Sequence, residues 1–281
     1  MSTRPLPILP GATLGILGGG QLGRMFTIAA RTMGYRVMVL DPDGASPAGQ
    51  MADAHLQADY ADHAALKQLG AACAAVTTEF ENVPAASLIE LASHCRVSPG
   101  AAAVAIVQDR SHEKSWLADN GFATAPFALV YSEGDLDAAL ADTGTPALLK
   151  VSRFGYDGKG QARVGTLEEA RAAFREFGGQ PCVLEGFVEL EREVSVVLAR
   201  DDAGECALFP VAENRHDNGI LDLSIVPARV PDSLAAQARD TARAVADRLG
   251  YVGVMAVEFF VAGGRLMVNE IAPRPHNSGH Y

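Results

Sequence analysis

The chain has 281 residues, of which 48% are hydrophobic, and its formal net charge at pH 7 is −11. This length predicts about two domains, and the negative charge argues against a surface that binds nucleic acid or an anionic membrane. No apolar run approaches the ~18 residues of a membrane span, and residues 1–11 contain three prolines, which is not typical of a signal peptide. The cysteines form no C-x-x-C pair, so we expect reduced thiols in a cytoplasmic protein.

The first motif is a glycine-rich turn between a predicted strand at 12–17 and a predicted helix at 24–33. The turn from Gly18 to Gly23 fits the pattern G-x-G-x-x-G, and a second predicted strand at 36–40 ends at Asp41. An acid about 20 residues after the turn completes the dinucleotide fingerprint. Glycines at a strand–helix turn also serve other anions or a close backbone approach. A nicotinamide-dependent oxidoreductase therefore stays open as an alternative of a different class.

The alternation of strands and helices continues to about residue 107. A predicted strand at 74–78 leads into Glu79 and Glu81, and acids at the carboxyl end of a parallel strand lie where α/β sheets bind ligands. A helix at 85–93 and a strand at 96–97 follow, so we predict a doubly wound parallel α/β domain over 1–107. In the next predicted helix, Arg110 and Lys114 lie four residues apart and share one face. A solvated pair and a ligand role are equally open on this spacing.

A lysine in an apolar strand and the loop after it predict a phosphate site. Lys150 lies in a predicted strand at 147–151, and burying its charge without a partner is costly, so a phosphate would serve. The loop that follows, from Gly155 to Gly160, alternates glycines with Asp157 and Lys159. This composition resembles a loop that closes backbone N–H groups and a lysine over phosphates. A plain hairpin turn is the alternative, since 161–164 looks like a return strand.

The last two predicted strands, 255–261 and 265–271, form a hairpin in which each strand carries one acid, Glu258 and Glu270. A three-residue loop would place the two acids directly opposite each other, whereas a two-residue loop would send them to opposite faces. Facing carboxylates need a cation between them, and Mg²⁺ bound by carboxylates and substrate phosphates fits that position. A solvated face with incidental acids is the alternative, although the neighbouring residues are apolar.

The segment after the hairpin is short, stiff and polar. Two prolines flank Arg274 and hold the backbone extended, and an arginine at this place suits bidentate contact with a phosphate or another oxyanion.

Between the loop at 155–160 and the hairpin we predict a strand at 182–188 that contains Glu185, a strand from 191 to 198 that contains Glu193, and an amphipathic helix at 234–249.

The order of these parts resembles that of the ATP-grasp superfamily. Within it, the glycine turn, residues 78–82, the loop at 155–161 and residues 269–280 resemble the N5-carboxyaminoimidazole ribonucleotide synthetases of purine biosynthesis. The resemblance implies an α/β fold in which the N-terminal doubly wound domain (1–107) precedes two α+β lobes, 108–184 and 185–281, that sandwich ATP. The implied reaction uses ATP and bicarbonate to form carboxyphosphate and then carboxylates aminoimidazole ribonucleotide, in a cytoplasmic homodimer.

The resemblance also implies roles for individual residues. Glu258 and Glu270 would hold Mg²⁺, Arg274 would stabilise carboxyphosphate, and Asp157 and Lys159 would act beside it. The residues expected around ATP are Arg110, Lys114, Lys150, Gly155, Tyr156, Asp157, Gly158, Lys159, Gly160, Gln161, Glu185, Gly186, Phe187, Val188, Glu193, His216, Asn269 and Glu270. The residues expected around the other substrates are Gln21, Glu79, Tyr156, Asp157, Lys159, His276, Asn277 and Ser278.

Two departures from the superfamily and the family are visible. Many ATP-grasp enzymes have an asparagine two residues after the second metal acid, where this chain has Ala272. The family continues into a C-terminal domain that helps to bind the ribonucleotide phosphate, and we expect that domain to be absent from this chain.

The glycine-turn and loop motifs are shared with the formate-dependent glycinamide ribonucleotide transformylase, which is the nearest alternative function. Other ATP-grasp ligases are the next alternative.

Overall fold

A computed structural model describes residues 7–155, 160–217 and 219–281. Its first sheet has five parallel strands in the order β3-β2-β1-β4-β5, namely β1 (Thr13–Leu17), β2 (Arg36–Leu40), β3 (Ala54–Leu56), β4 (Ala75–Thr78) and β5 (Arg96–Val97). Because β1 and β4 are neighbours and the strand order reverses between them, their carboxyl ends form the switch point at which such sheets bind ligands. The predicted doubly wound parallel sheet is confirmed.

Helices α1 (Gln21–Thr32), α2 (His63–Ala72), α3 (Ala85–Ala92) and α4 (Ala101–Val107) accompany this sheet. Helix α1 begins at Gln21 rather than at the predicted residue 24, because the carboxylate of Glu79 accepts the N–H groups of Gly20 and Leu22 at the N-terminus of the helix. Helix α4 was not predicted. Its seven residues are alanines and β-branched residues alone, so it has no polar face to reveal a helical period.

The second sheet is antiparallel, with strands β6 (Phe127–Val130), β7 (Ala147–Val151), β8 (Gln161–Val164) and β9 (Cys182–Gly186) in the order β6-β9-β7-β8. Helix α5 (Arg110–Asp119) precedes it, and α6 (Leu136–Thr143) and α7 (Leu167–Glu176) pack on it. Buried apolar side chains of both helices and of the strands form one core, including Leu136, Leu149, Phe174 and Leu184. Burial of each such side chain stabilises the fold by about 1.5–3 kcal/mol.

The third sheet is antiparallel in the order β13-β12-β10-β14-β15, with β11 paired to β10. Its strands are β10 (Arg192–Arg200), β11 (Cys206–Leu208), β12 (Ala212–Asp217), β13 (Ile220–Ile225), β14 (Gly253–Ala262) and β15 (Arg265–Ala272), and α8 (Asp232–Arg248) packs on one face. Residues 209–219 were predicted as one strand and a loop. They belong instead to a strand pair whose second member, β13, has no buried residue, so its sequence carries no core-facing alternation.

The predicted boundary between residues 184 and 185 falls inside β9, all five residues of which pair in the second sheet. We therefore place that boundary after Gly186. The division into a domain and two lobes stays a proposal. Within the three described ranges, every helix is too short or too polar to span a bilayer.

Candidate active site

The hairpin of β14 and β15 brings its two acids face to face by a route that the loop length did not predict. The loop has two residues rather than three, because Ala262 pairs with Arg265. Such a loop alone would put the acids on opposite faces of the ribbon. A β-bulge at Asn269 inserts one residue and shifts the register, so that Glu258 pairs with Glu270. The predicted pairing is present, and the bulge causes it.

Each of the two acids already has a cationic or hydrogen-bonding partner. Glu270 Oε2 lies 3.1 Å from Arg110 Nη2, and Glu258 Oε1 lies 2.7 Å from His276 Nε2. Burial alone would raise the pKa of Glu270, but the charges of Arg110 and Lys150 outweigh it and hold that pKa below its ordinary value. The carboxylate of Glu270 is therefore ionised at neutral pH and available to a metal.

Three cations surround Glu185 at the end of β9. Lys150 Nζ donates a hydrogen bond of 2.9 Å to Glu185 Oε2, while Lys114 Nζ and Arg110 Nη1 lie 3.5 and 3.9 Å from Oε1. Burial would raise the pKa of Glu185, yet the three cations lower it to about 2. The buried lysine in the apolar strand thus has a protein carboxylate as its partner in this structure, where the sequence predicted a phosphate.

Another cluster of polar side chains lies on the third sheet. His216 Nδ1 lies 2.7 Å from Glu193 Oε2, and this interaction, with the neighbouring acids, raises the pKa of His216. Ligand atoms of Glu193, His216 and Glu258 all lie within 4.8 Å of one another. The carboxylate of Glu193 thus adds a hydrogen-bond acceptor to the lining of the cleft between the second and third sheets.

Residues from each of these clusters line one cleft of about 340 Å³ between the second and third sheets. Its polar wall includes Lys150, Glu193, His216, Glu258, Asn269 and Glu270. An adjoining apolar pocket of about 170 Å³ shares part of the lining and includes Leu148, Phe187, Val188, Leu190 and Phe260. A charged chamber beside an apolar pocket suits a ligand with an anionic end and a flat apolar end.

Several buried polar atoms in and beside this cleft have no hydrogen-bond partner among the described residues. Asn269 Oδ1 is one of them, and Arg110 Nη1 and Glu185 Oε1 are two more, which face each other only at the ion-pair distance of 3.9 Å. Buried polar groups in folded proteins are almost always hydrogen-bonded, so a local concentration of unpartnered ones calls for a ligand, an ion or water. The cleft is therefore built to receive polar partners that the chain does not itself supply.

The glycine-rich turn of the first domain is occupied by the chain's own carboxylates. Glu79 accepts the N–H groups of Gly20 and Leu22 at 2.5 and 3.0 Å, and Asp41 accepts that of Gly19 at 2.6 Å. These are the donors that a dinucleotide pyrophosphate would need. The glycines are required because Glu79 approaches the turn closely, so the nicotinamide-dependent alternative is wrong for this turn.

The segment after β15 returns to the first domain. Arg274 Nε donates to Glu81 Oε2 at 2.7 Å, and both residues line a second, smaller cavity together with Arg110 and Glu270. Burial opposes the charged form of Arg274, but Glu81 raises its pKa above the ordinary value. The guanidinium is thus held, fully charged, between the first domain and the two acids.

Comparison with known proteins identifies the family. The ATP-grasp domain family matches residues 115–281, and the ribonucleotide synthetase preATP-grasp domain family matches residues 11–108. A similar curated protein is the N5-carboxyaminoimidazole ribonucleotide synthase of Brucella melitensis, which is 49% identical over 97% of this chain and 76% of its own length. The chain belongs to the N5-carboxyaminoimidazole ribonucleotide synthase family.

Solved structures of the family share the fold. The Staphylococcus aureus N5-carboxyaminoimidazole synthetase complexed with ADP aligns with a TM-score of 0.94 and 39% identity, over 99% of this chain and 74% of that one. The Aspergillus clavatus synthase in complex with ADP and 5-aminoimidazole ribonucleotide aligns with a TM-score of 0.86 and 31% identity, over 96% of this chain and 71% of that one. The expected ATP-grasp architecture is confirmed.

Within this synthase family fold, the predicted site residues fall into three groups. The structure brings the polar residues of the cleft together with Phe187, Val188, Gly155, Gly160 and Gln161. Gln21 lies exposed at the start of α1, and Asn277 lies exposed in a short turn in which Ser278 is buried against Ser195. Tyr156, Asp157, Gly158 and Lys159 lie outside the described residues.

Three predicted roles meet a different local arrangement in the structure. Lys114 is fully buried, and its ammonium donates to the carbonyl of Asn269 at 2.9 Å, so it supports the site from behind instead of facing the cleft. The carboxylate of Glu79 already accepts two hydrogen bonds from backbone N–H groups of the glycine turn. Gly186 is buried at the end of β9, where a Cβ would lie 2.8 Å from the carbonyl oxygen of Thr143. Their ligand roles stay predictions that this geometry does not favour.

Other residues of the site were not predicted from the sequence. Glu81 was noted but given no role, and Glu113 and Ser195 were not considered at all. Glu113 is buried with 3% of its surface exposed, although it lies in a helix start that reads as charged and solvated. Its position beside Lys114 gives no sequence signal, because the partner that it binds is a backbone group about 160 residues away.

Proposed function

We propose that the protein carboxylates 5-aminoimidazole ribonucleotide with ATP and bicarbonate, giving N5-carboxyaminoimidazole ribonucleotide, ADP and phosphate. The proposal draws on family membership and on the names of the similar proteins. The observation that carries it is the pair of facing acids, Glu258 and Glu270, between a cation cluster and an arginine that reaches the first domain. This arrangement suits transfer of a phosphoryl group to a small oxyanion.

The proposed orientation of ATP follows from the apolar and the charged part of the cleft. The apolar pocket at Phe187 and Val188 suits adenine, and the carboxylate of Glu193 suits the ribose hydroxyls. The triphosphate then extends toward Lys150 and Arg110, which would turn from Glu185 and Glu270 to the phosphate oxygens. Glu185 keeps both cations in place while no phosphate is bound, so the site is charged and ordered in advance.

Mg²⁺ is the metal that this donor set fits. Glu258 and Glu270 offer two carboxylates. Asn269, the bulged residue directly before Glu270, adds an amide oxygen that has no hydrogen-bond partner among the described residues. Oxygen donors, with substrate phosphates completing the shell, are what Mg²⁺ prefers. When bound, the ion would neutralise charge on the phosphates. The chain's own task is to hold the two carboxylates facing each other.

The reaction then proceeds in two steps. An oxygen of bicarbonate attacks the γ-phosphorus of ATP, ADP leaves, and carboxyphosphate forms. The exocyclic amine of the ribonucleotide next attacks the carboxyl carbon, and phosphate leaves with the oxygen that came from bicarbonate. Arg274, fixed by Glu81 and close to Glu270, suits the anionic carboxyphosphate, because a bidentate guanidinium stabilises such an oxyanion. Asp157 and Lys159 are proposed to act at the same place.

The fate of one oxygen tests this mechanism. With ¹⁸O-labelled bicarbonate, we expect one labelled oxygen in each phosphate released during carboxylation of the ribonucleotide. Phosphate without label, formed at the rate of ADP release, would show that water rather than bicarbonate accepts the phosphoryl group and would refute the proposal. Formate as acceptor in place of bicarbonate would move the protein to the transformylase alternative.

Further proposals concern location, assembly and partners, of which the dimer rests on the resemblance alone. We propose that the protein works in the cytoplasm and as a homodimer, with small-molecule substrates and no nucleic acid or membrane as partners. Light scattering from the purified protein measures the mass, and a monomer at micromolar concentration would contradict the dimer.

A further inference from the structure

The bulged strand that carries Glu270 is an edge strand, and one helix holds its outer side around that acid. β15 is last in its sheet, and its outer edge contacts residues 123–124 at Val268 before it reaches helix α5. Lys114 Nζ donates to the carbonyl of Asn269 at 2.9 Å, and the N–H of Ile271 donates to Glu113 Oε1 at 2.6 Å. These two backbone groups flank Glu270 on either side.

The same helix face also holds the side chain of Glu270. Arg110, Glu113 and Lys114 stand at positions i, i+3 and i+4 of α5, which lie on one face of a helix. Arg110 contacts the Glu270 carboxylate, while the other two hold the backbone before and after it. α5 therefore fixes both the main chain and the side chain of this acid.

These contacts lie away from water, which makes them strong. Glu113 is 3% exposed and Lys114 is fully buried. A buried N–H that loses its acceptor keeps the full cost of desolvation, which exceeds the net contribution of an average hydrogen bond. Without Glu113, the N–H of Ile271 would have to move to find another acceptor, and the bulge would move with it.

We propose that Glu113 is a positioning residue that fixes the backbone at Glu270 and so sets the separation of the two carboxylates that face each other across the hairpin. The proposal deepens the proposed function, since it rests on Glu258 and Glu270 as the metal ligands. It assigns to Glu113 no contact with substrate or metal. Glu113 acts through Glu270.

Three variants of one residue separate the hydrogen bond from the carboxyl group. Glu113→Gln keeps an acceptor oxygen of the same reach and removes the carboxyl group. Glu113→Asp keeps the carboxyl group but is one methylene too short, and Glu113→Ala removes both the acceptor and the carboxyl group. Glu169→Ala is the control, because Glu169 also accepts a backbone N–H, that of Gly165, at 2.6 Å, but does so at the exposed surface and outside the residues that line the cleft.

Deuterium exchange of peptides from residues 265–272 reads the backbone without any reaction. We expect faster exchange in Glu113→Ala and Glu113→Asp, and exchange like that of the wild type in Glu113→Gln and Glu169→Ala. Electron paramagnetic resonance of Mn²⁺ with the protein and ADP then gives the metal affinity. The dissociation constant should rise about tenfold in the first two variants, as loss of one buried hydrogen bond predicts, and stay within about twofold in the others.

Steady-state kinetics complete the test. The metal concentration for half-maximal ADP release should rise in Glu113→Ala and Glu113→Asp, while KM for the ribonucleotide stays unchanged. Faster exchange with unchanged metal affinity would show a structural role only and would overturn the proposal, as would a Glu113→Gln variant as impaired as Glu113→Asp. If Glu113→Ala does not fold, Glu113→Asp decides. A wild-type protein that needs no metal would refute the proposed function instead.

Discussion

Glu185→Gln tests how the cleft holds its cations when no phosphate is present. The substitution keeps the shape of the side chain but removes the one charge that Lys150, Lys114 and Arg110 share at 2.9, 3.5 and 3.9 Å. Glu185 is 1% exposed, so water cannot replace the lost charge. We expect a folded protein of clearly lower stability.

Two estimates of the magnitude agree. The pKa of Glu185 falls from 4.5 to about 2 in the folded protein, and at about 1.4 kcal/mol per pKa unit this corresponds to about 3.5 kcal/mol of stability at neutral pH. Removing one partner of a buried ion pair typically costs about 3–5 kcal/mol. A loss of about 3.5 kcal/mol should lower the Tm by roughly 7–14 °C in a protein of this size.

Urea unfolding and thermal scans measure the loss. Glu133→Gln is the control, because Glu133 pairs with Arg175 on the exposed surface of the same lobe and its loss should change the Tm little. The double variant Glu185→Gln with Lys150→Met should recover part of the stability, and saturating ATP should narrow the gap because phosphates replace the lost anion. A Tm unchanged by Glu185→Gln would refute the counter-ion role.

Three further predictions concern the same machinery. Glu258→Gln and Glu270→Gln should each reduce ADP release by more than about 100-fold with the fold intact by circular dichroism, since one charge of the metal pair is lost; ADP release like that of the wild type at ordinary Mg²⁺ would contradict the metal assignment. Gly18→Ala should destabilise the first domain, because Gly18 has φ +107° and the new Cβ would lie 2.7 Å from Glu79 Cβ; an unchanged urea midpoint would refute the close approach. The pKa of Glu185 in the folded protein lies below its ordinary value, so the stability that its charge contributes is present above pH 4.5 and is lost as the pH falls toward about 2. The difference in stability between wild type and Glu185→Gln should therefore shrink over that range. A constant difference would contradict this prediction.

The sequence predicted the parts of the site that stand out against an apolar background. Lys150, Glu258 and Glu270 lie in largely hydrophobic strands, so each needed a partner and each was found in the cleft. The strands themselves were predicted because β-branched and aromatic residues concentrate in them. The family resemblance supplied what the residue types alone left open, above all the choice of substrate.

The remaining features depend on contacts that no local pattern carries. The bulge at Asn269 brings the two acids into register. One extra residue in a strand leaves no mark in the local sequence pattern that would predict the bulge. Glu185 accepts a hydrogen bond from Lys150, which lies 35 residues away in the chain. Glu113 accepts one from the N–H of Ile271, which lies 158 residues away. Such partners are set by the packing of three sheets, which a single sequence does not display.

ADP release in two substrate mixtures is the most direct test of the central claim. One mixture contains MgATP, bicarbonate and 5-aminoimidazole ribonucleotide, and the other contains MgATP, formate and glycinamide ribonucleotide. We predict that ADP forms in the first mixture, that omission of bicarbonate stops it, and that the second mixture gives only background. ADP release in the second mixture alone would assign the protein to formyl transfer and contradict the carboxylation of aminoimidazole ribonucleotide.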